Sequence, residues 1–143
     1  MTGALWMILN AYTRPGDKVL IQAPVYHTFS IVIKGAGRFV ESNDLVLEDG
    51  RYEMNFEDLE KKVADPRVRI MLICNPHNPV GRVWTKEELI KVAEICKKNN
   101  TILVGDEIHG DIVYGEHKHT PLFSLSDDLT DNIVVTVSYT HLR

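Results

Sequence analysis

Two kinds of hydrophobic pattern alternate along this chain: short unbroken blocks of β-branched and aliphatic residues, and longer stretches in which apolar positions return every three or four residues. Val68 to Cys74 and Ile102 to Gly105 are blocks of the first kind, the signature of a parallel strand buried on both faces. Between them Leu89, Val92, Ala93 and Cys96 recur at helical spacing. Thr85-Lys86-Glu87-Glu88 reads as a capping box at the start of that helix, and Asn99-Asn100 as its end. Glu87 with Lys91 and Glu94 with Lys98 are spaced to pair along its exposed face. Strand, helix and strand make a βαβ unit, which is right-handed by the strong chirality rule for parallel crossovers.

The remaining segments continue the alternation. Ala4 to Tyr12 is helical in pattern, and Pro15-Gly16-Asp17 supplies a turn before a strand over Lys18 to Gln22. Phe29 to Lys34 fits helix or strand, because Ile31, Val32 and Ile33 are β-branched. Gly37 to Glu41 is expected as a short strand, Glu48 to Arg51 as a loop or turn, and Asn55 to Val63 as a helix with Glu57–Lys61 and Asp58–Lys62 pairs. Asn132 to Val137 is a last apolar strand. The predicted fold class is therefore α/β, a three-layer sandwich with a mainly parallel sheet.

Composition excludes several classes of function. At 143 residues the chain has room for one compact domain, and a net charge of −4 without a basic run argues against nucleic acid. No stretch has the length and apolarity of a membrane span, and the amino terminus lacks a basic region followed by a cleavage site, so a cytoplasmic, membrane-free protein is expected. Cys74 and Cys96 fall on a strand and on the apolar face of a helix, and read as small core residues in a reducing compartment. His77, His109, His117 and His119 near Asp106 and Asp111 lack the spacing of a tetrahedral metal site. Gly35-Ala36-Gly37 lacks the third glycine of a dinucleotide-binding turn.

The polar residues instead cluster where the two buried strands stop. Asn75-Pro-His-Asn-Pro-Val-Gly81 follows one and Asp106-Glu-Ile-His109 follows the other, and in open α/β sheets ligands bind beyond the carboxyl ends of the strands. With Ala23-Pro-Val-Tyr-His-Thr-Phe29 upstream, these motifs resemble the pyridoxal-phosphate enzymes of aminotransferase class I/II (fold type I), most nearly the cystathionine β-lyase and cystalysin-like C–S lyases. The likeness runs from about Met1 to Val137, so that 1–137 is expected to be part of a pyridoxal-phosphate-binding large domain, and it implies that Phe29 to Lys34 is helical.

The resemblance implies four contacts with pyridoxal 5′-phosphate. Asp106 would hold the protonated ring nitrogen, although a carboxylate at this place could equally cap the loop after its strand. Asn78 and His109 would donate to the phenolic oxygen, and Tyr26 would stack on the ring. The Ala23–Pro24 and Asn78–Pro79 bonds are expected to be cis. The implied reaction is β-elimination from cystathionine or another cysteine S-conjugate, with a class I/II aminotransferase as the alternative, an amino-acid substrate in either case, and a homodimeric parent.

The chain departs from the family at both ends. The family places its Schiff-base lysine after the last strand, whereas Ser138-Tyr-Thr-His-Leu-Arg143 has Thr140 near that position and no lysine follows Lys118. Residues 138–143 therefore read as a non-native tail. The phosphate cradle at the start of the helix near Thr2 is expected to be at best half present and the carboxyl-terminal domain with the substrate-carboxylate arginine to be missing, which leaves a further alternative: an inactive fragment with no function of its own.

Overall fold

The computed structural model describes residues 2–137, so Thr140 and the expected tail lie outside the described residues. Its elements in order are α1 (Thr2–Tyr12), β1 (Lys18–Ile21), α2 (Thr28–Gly35), β2 (Phe39–Ser42), β3 (Val46–Glu48), β4 (Arg51–Glu53), α3 (Phe56–Val63), β5 (Val68–Cys74), α4 (Lys86–Lys98), β6 (Ile102–Asp106), α5 (Asp127–Thr130) and β7 (Ile133–Thr136). Five strands form one sheet in the order β2-β1-β5-β6-β7, and every pairing in it is parallel.

Side-chain alternation along the strands builds two cores, one on each face. Val19, Ile21, Ile70, Leu72, Cys74 and Val104 pack with Leu5 and Leu9 of α1 and Phe29, Val32 and Ile33 of α2. Leu20, Met71, Ile73 and Leu103 pack on the other face with Leu59 and Val63 of α3 and Leu89, Val92, Ala93 and Cys96 of α4. The helices cover both faces of a parallel sheet, which is the expected three-layer α/β sandwich.

The ambiguous segment is helix. Phe29, Val32 and Ile33 are buried while Ile31 is 61% exposed, a helical rather than alternating distribution. The expected strand over Gly37 to Glu41 begins later, at Phe39, because Gly37 is in the left-handed region (φ 75°) and closes α2 by donating to the Lys34 carbonyl. β3 and β4 form a separate antiparallel hairpin around Asp49 and Gly50, both with positive φ. An Asp-Gly pair is the strongest short hairpin signal, yet the flanking strands are only three residues each and half-exposed or exposed, too little hydrophobic pattern to announce them.

Of the four expected helical ion pairs, Asp58–Lys62 forms at 2.8 Å; Lys91 instead lies 4.1 Å from the centroid of the Phe56 ring, joining α4 to α3. The capping box is present: Thr85 Oγ1 accepts from the Glu88 amide (3.2 Å) and Glu88 Oε2 from the Thr85 amide (2.7 Å). Thr85→Ala is expected to destabilise the chain by about 1 kcal/mol, read as a lower urea midpoint with unchanged slope.

Two features of the topology fix where a site can be. The chain passes from β1 outward to β2, then returns to place β5 on the other side of β1, so the strand order reverses between β1 and β5. That reversal opens a crevice at the carboxyl edge of the sheet. Arg38, 6% exposed at the start of β2, donates to the carbonyls of Leu9 and Thr13 and to the hydroxyl of Thr13, tying the end of α1 to the opposite edge. α1 thus runs against the strands and turns its amino end toward the crevice edge.

Candidate active site at the strand ends

β5 stops at Cys74 and β6 at Asp106, which face each other in register, and the Asn75 amide donates to the Asp106 carbonyl at 2.9 Å. Asn75 is fully buried. Its Oδ1 accepts from the Trp84 amide (3.1 Å) and its Nδ2 donates to the Thr120 carbonyl (3.3 Å), so one side chain joins three loops. Trp84 adds an Nε1 hydrogen bond to the Cys74 carbonyl (3.0 Å). The Arg82 guanidinium lies 4.5 Å from the Trp84 ring centroid and pairs with Glu53 (2.9 Å) and Glu88 (2.5 Å), fastening the hairpin to the turn.

The turn itself spans residues 77–82. The His77 amide donates to the Arg82 carbonyl (2.7 Å), the Gly81 amide to the His77 carbonyl (2.8 Å), and Gly81 takes a positive φ of 73° that favours glycine. This lifts Asn78 and Pro79 to the tip. Both bonds expected to be cis are cis, and Asn75–Pro76 is a third that the motif did not reveal.

Asp106 is 3% exposed, and its Oδ1 accepts from the Ile108 amide at 3.2 Å. Burial pushes its carboxyl above the ordinary range, against the Ile108 hydrogen bond and the nearby His109 ring. His109 sits in the turn that follows, half-buried, and lines a cleft of about 490 Å³ together with Asn78. Neither Asn78 nor His109 has a side-chain hydrogen-bond partner among the described residues. Tyr26 is half-buried in the loop after β1, packed edge-on against Phe29 and His27 at 5.8 and 5.2 Å between centroids, and does not line that cleft. The four expected residues therefore occupy the same edge of the sheet, with Asn78 and His109 sharing one cavity.

Among the described residues no three His, Cys, Asp or Glu side chains cluster as a metal site requires. His119 instead lies 3.6 Å from Glu107, whose Oε1 accepts from the Leu122 amide (2.7 Å). Cys74 and Cys96 are both free and buried, and burial pushes each thiol up to about 12. No described helix is long and apolar enough to cross a membrane.

The sequence pattern that defines aminotransferase class I and II matches residues 2–140. The chain belongs to the aminotransferase class I and II family. It is 48% identical over 128 residues to cystathionine beta-lyase PatB of Bacillus subtilis, covering 90% of this chain and 33% of that protein. Its fold superposes on cystalysin from Treponema denticola, a structure containing pyridoxal 5′-phosphate, with a TM-score of 0.92 and 38% identity over 95% of this chain and 34% of that one. The pyridoxal-phosphate-bound C–S lyase of Staphylococcus hominis superposes with a TM-score of 0.88 and 32% identity, over 95% and 35%. The chain thus spans about a third of the length of the relatives it matches. The family and these relatives bear out pyridoxal 5′-phosphate as the cofactor, together with the partial large-domain fold.

The donor set fits that cofactor. A buried carboxyl with a raised pKa and a single backbone donor at 3.2 Å is suited to a cationic N–H partner, and two side chains without hydrogen-bond partners among the described residues, capable of donating, lie on the same edge.

Sequence reasoning left His77 without a role. It is 2% exposed, and burial, together with the Arg82 cation, holds its ring below the usual histidine range. A folded-state value below the unfolded one, about 6.5, means that the unfolded chain takes the proton first. This contribution to stability is complete above about pH 6.5 and falls, by at most about 1.4 kcal/mol per pH unit, until the folded ring titrates. Comparing urea midpoints of the native chain and His77→Gln at pH 7 and pH 5 should show the larger acid loss in the native chain.

Proposed function

We propose that these residues form the strand-end part of a pyridoxal-phosphate site in a lyase that cleaves the carbon–sulfur bond of cystathionine or another cysteine S-conjugate by β-elimination. The supporting observation is the buried Asp106 carboxyl, raised in pKa and near the His109 ring, which lines the same cleft as Asn78. When bound, the cofactor supplies an electron sink for the carbanion at the substrate α-carbon. Asp106 would keep the ring nitrogen protonated, and Asn78 and His109 would donate to the phenolic oxygen. Tyr26, from the loop after β1, would cover the ring face, and the positive end of α1 would favour the phosphate.

Elimination rather than amino transfer is supported by the relatives, a cystathionine beta-lyase and a C–S lyase. The family also carries aminotransferases in its name, and the two reactions share every step up to the carbanion. Release of thiol, pyruvate and ammonia from cystathionine without an oxo-acid acceptor, by the whole protein that carries this segment, distinguishes them; a requirement for the acceptor rejects the lyase reading. Within the same reading the whole protein is a cytoplasmic homodimer.

The 143 residues alone bind the cofactor reversibly but do not turn over, because Thr140 offers no amine where the family has its lysine. Equilibrium dialysis should show saturable binding of pyridoxal phosphate, and borohydride reduction should leave no stoichiometric adduct at a single site. Absence of saturable binding rejects the site; pyruvate from cystathionine rejects the inactive-fragment alternative.

A further inference from the structure

His77 immediately precedes Asn78, yet its ring points away from solvent and into the crevice where the strand order reverses. Its Nε2 lies 3.0 Å from the Pro24 carbonyl, across 53 positions of sequence. This hydrogen bond joins the loop after β1, which carries Tyr26, to the loop after β5, which carries Asn78.

A carbonyl oxygen can only accept, so Nε2 must hold the proton. Nδ1 is buried without a partner, which fits a neutral ring with a bare Nδ1. The ring is further fixed edge-on to Trp84, 5.5 Å between centroids at 81°, and its backbone amide and carbonyl close the base of the 77–82 turn. One residue is therefore held rigidly in its own loop and reaches across to the other.

We propose that His77 is a positioning residue: as the neutral Nε2–H tautomer it fixes the spacing between the Tyr26 loop and the Asn78 turn, so that the ring-facing and oxygen-facing contacts are set before a ligand arrives. This rests on the cofactor reading above for its purpose, but the strut itself is a property of the chain without cofactor. Preorganised contacts raise affinity by removing the cost of ordering the loops on binding.

His77→Phe keeps a ring beside Trp84 and removes the donor, whereas His77→Gln keeps an N–H donor of similar reach. Two-bond proton–nitrogen spectra of the cofactor-free native chain should show Nε2 protonated and Nδ1 bare; the opposite tautomer overturns the proposal. Amide spectra of the same cofactor-free chains should show Tyr26 and Asn78 resonances displaced or broadened in His77→Phe and close to native in His77→Gln. Pyridoxal-phosphate affinity by dialysis should fall about tenfold in His77→Phe, the scale of one lost hydrogen bond, and recover in His77→Gln. Equal loss in both variants, or native behaviour in His77→Phe, overturns the donor role. If the native chain binds no pyridoxal phosphate, the cofactor reading fails while the tautomer and the two loops' spectra still decide the strut. Should His77→Phe not fold, the tautomer and the His77→Gln spectra decide it.

Discussion

Asp106→Asn is expected to weaken pyridoxal-phosphate binding by roughly 10- to 100-fold, the worth of a charge-assisted hydrogen bond of about 1.5–3 kcal/mol, while making the cofactor-free chain more stable at neutral pH. The two effects have opposite signs because the carboxylate is poorly solvated in the free chain. Burial raises the Asp106 carboxyl, so the folded state holds its proton more tightly than the unfolded state does. Above the raised folded value the ionised group therefore opposes folding, and an amide of the same shape removes that penalty. The stability gain should shrink as pH falls through the raised value toward about 3.8, where the unfolded carboxyl also takes its proton. Dialysis and urea titration of the same two proteins read both effects. A variant that loses stability and keeps its affinity would assign Asp106 to capping the Ile108 amide, the alternative that the sequence left open.

Trp84→Ala should cost about 3–5 kcal/mol, the range for deleting a large buried aromatic. Trp84 is 1% exposed, receives the edge of His77, lies under Arg82 and donates to the Cys74 carbonyl. Trp84→Phe retains most of the packing but leaves that buried carbonyl unpaired, for a smaller loss of about 1–3 kcal/mol. Urea midpoints of the three chains should fall in the order native, Phe, Ala. Because the Trp84 side chain holds the Cys74 carbonyl and the His77 ring at the strand ends, both variants should weaken cofactor binding beyond what their fraction folded accounts for. Equal midpoints for native and Phe chains would show that the Nε1 hydrogen bond adds nothing to stability.

The strand-end motifs placed Asn78, Asp106 and His109 on one edge of the sheet because that inference needs only two local signals, an apolar run and the polar residue that ends it. Tyr26 was reachable through the same edge, but its packing on Phe29 and its absence from the Asn78 cleft depend on how α2 settles on the sheet. Asn75, read only as the first residue of a motif, is the buried centre of contacts from Trp84, Thr120 and Asp106, none of which its neighbours in sequence announce.

Sequence by itself determined the order of the main helices and sheet strands, though not the β3–β4 hairpin or α5, together with the capping of α4, the parallel character of the sheet and the family, since periodicity, caps and motif residues are written within a few positions of one another. Tertiary structure alone decided the reversal between β1 and β5, the Arg38 clasp on α1, the network around Trp84 and the His77 contact with Pro24. Those features join residues tens of positions apart, and their energies come from burial and hydrogen-bond geometry that exist only once the layers have packed.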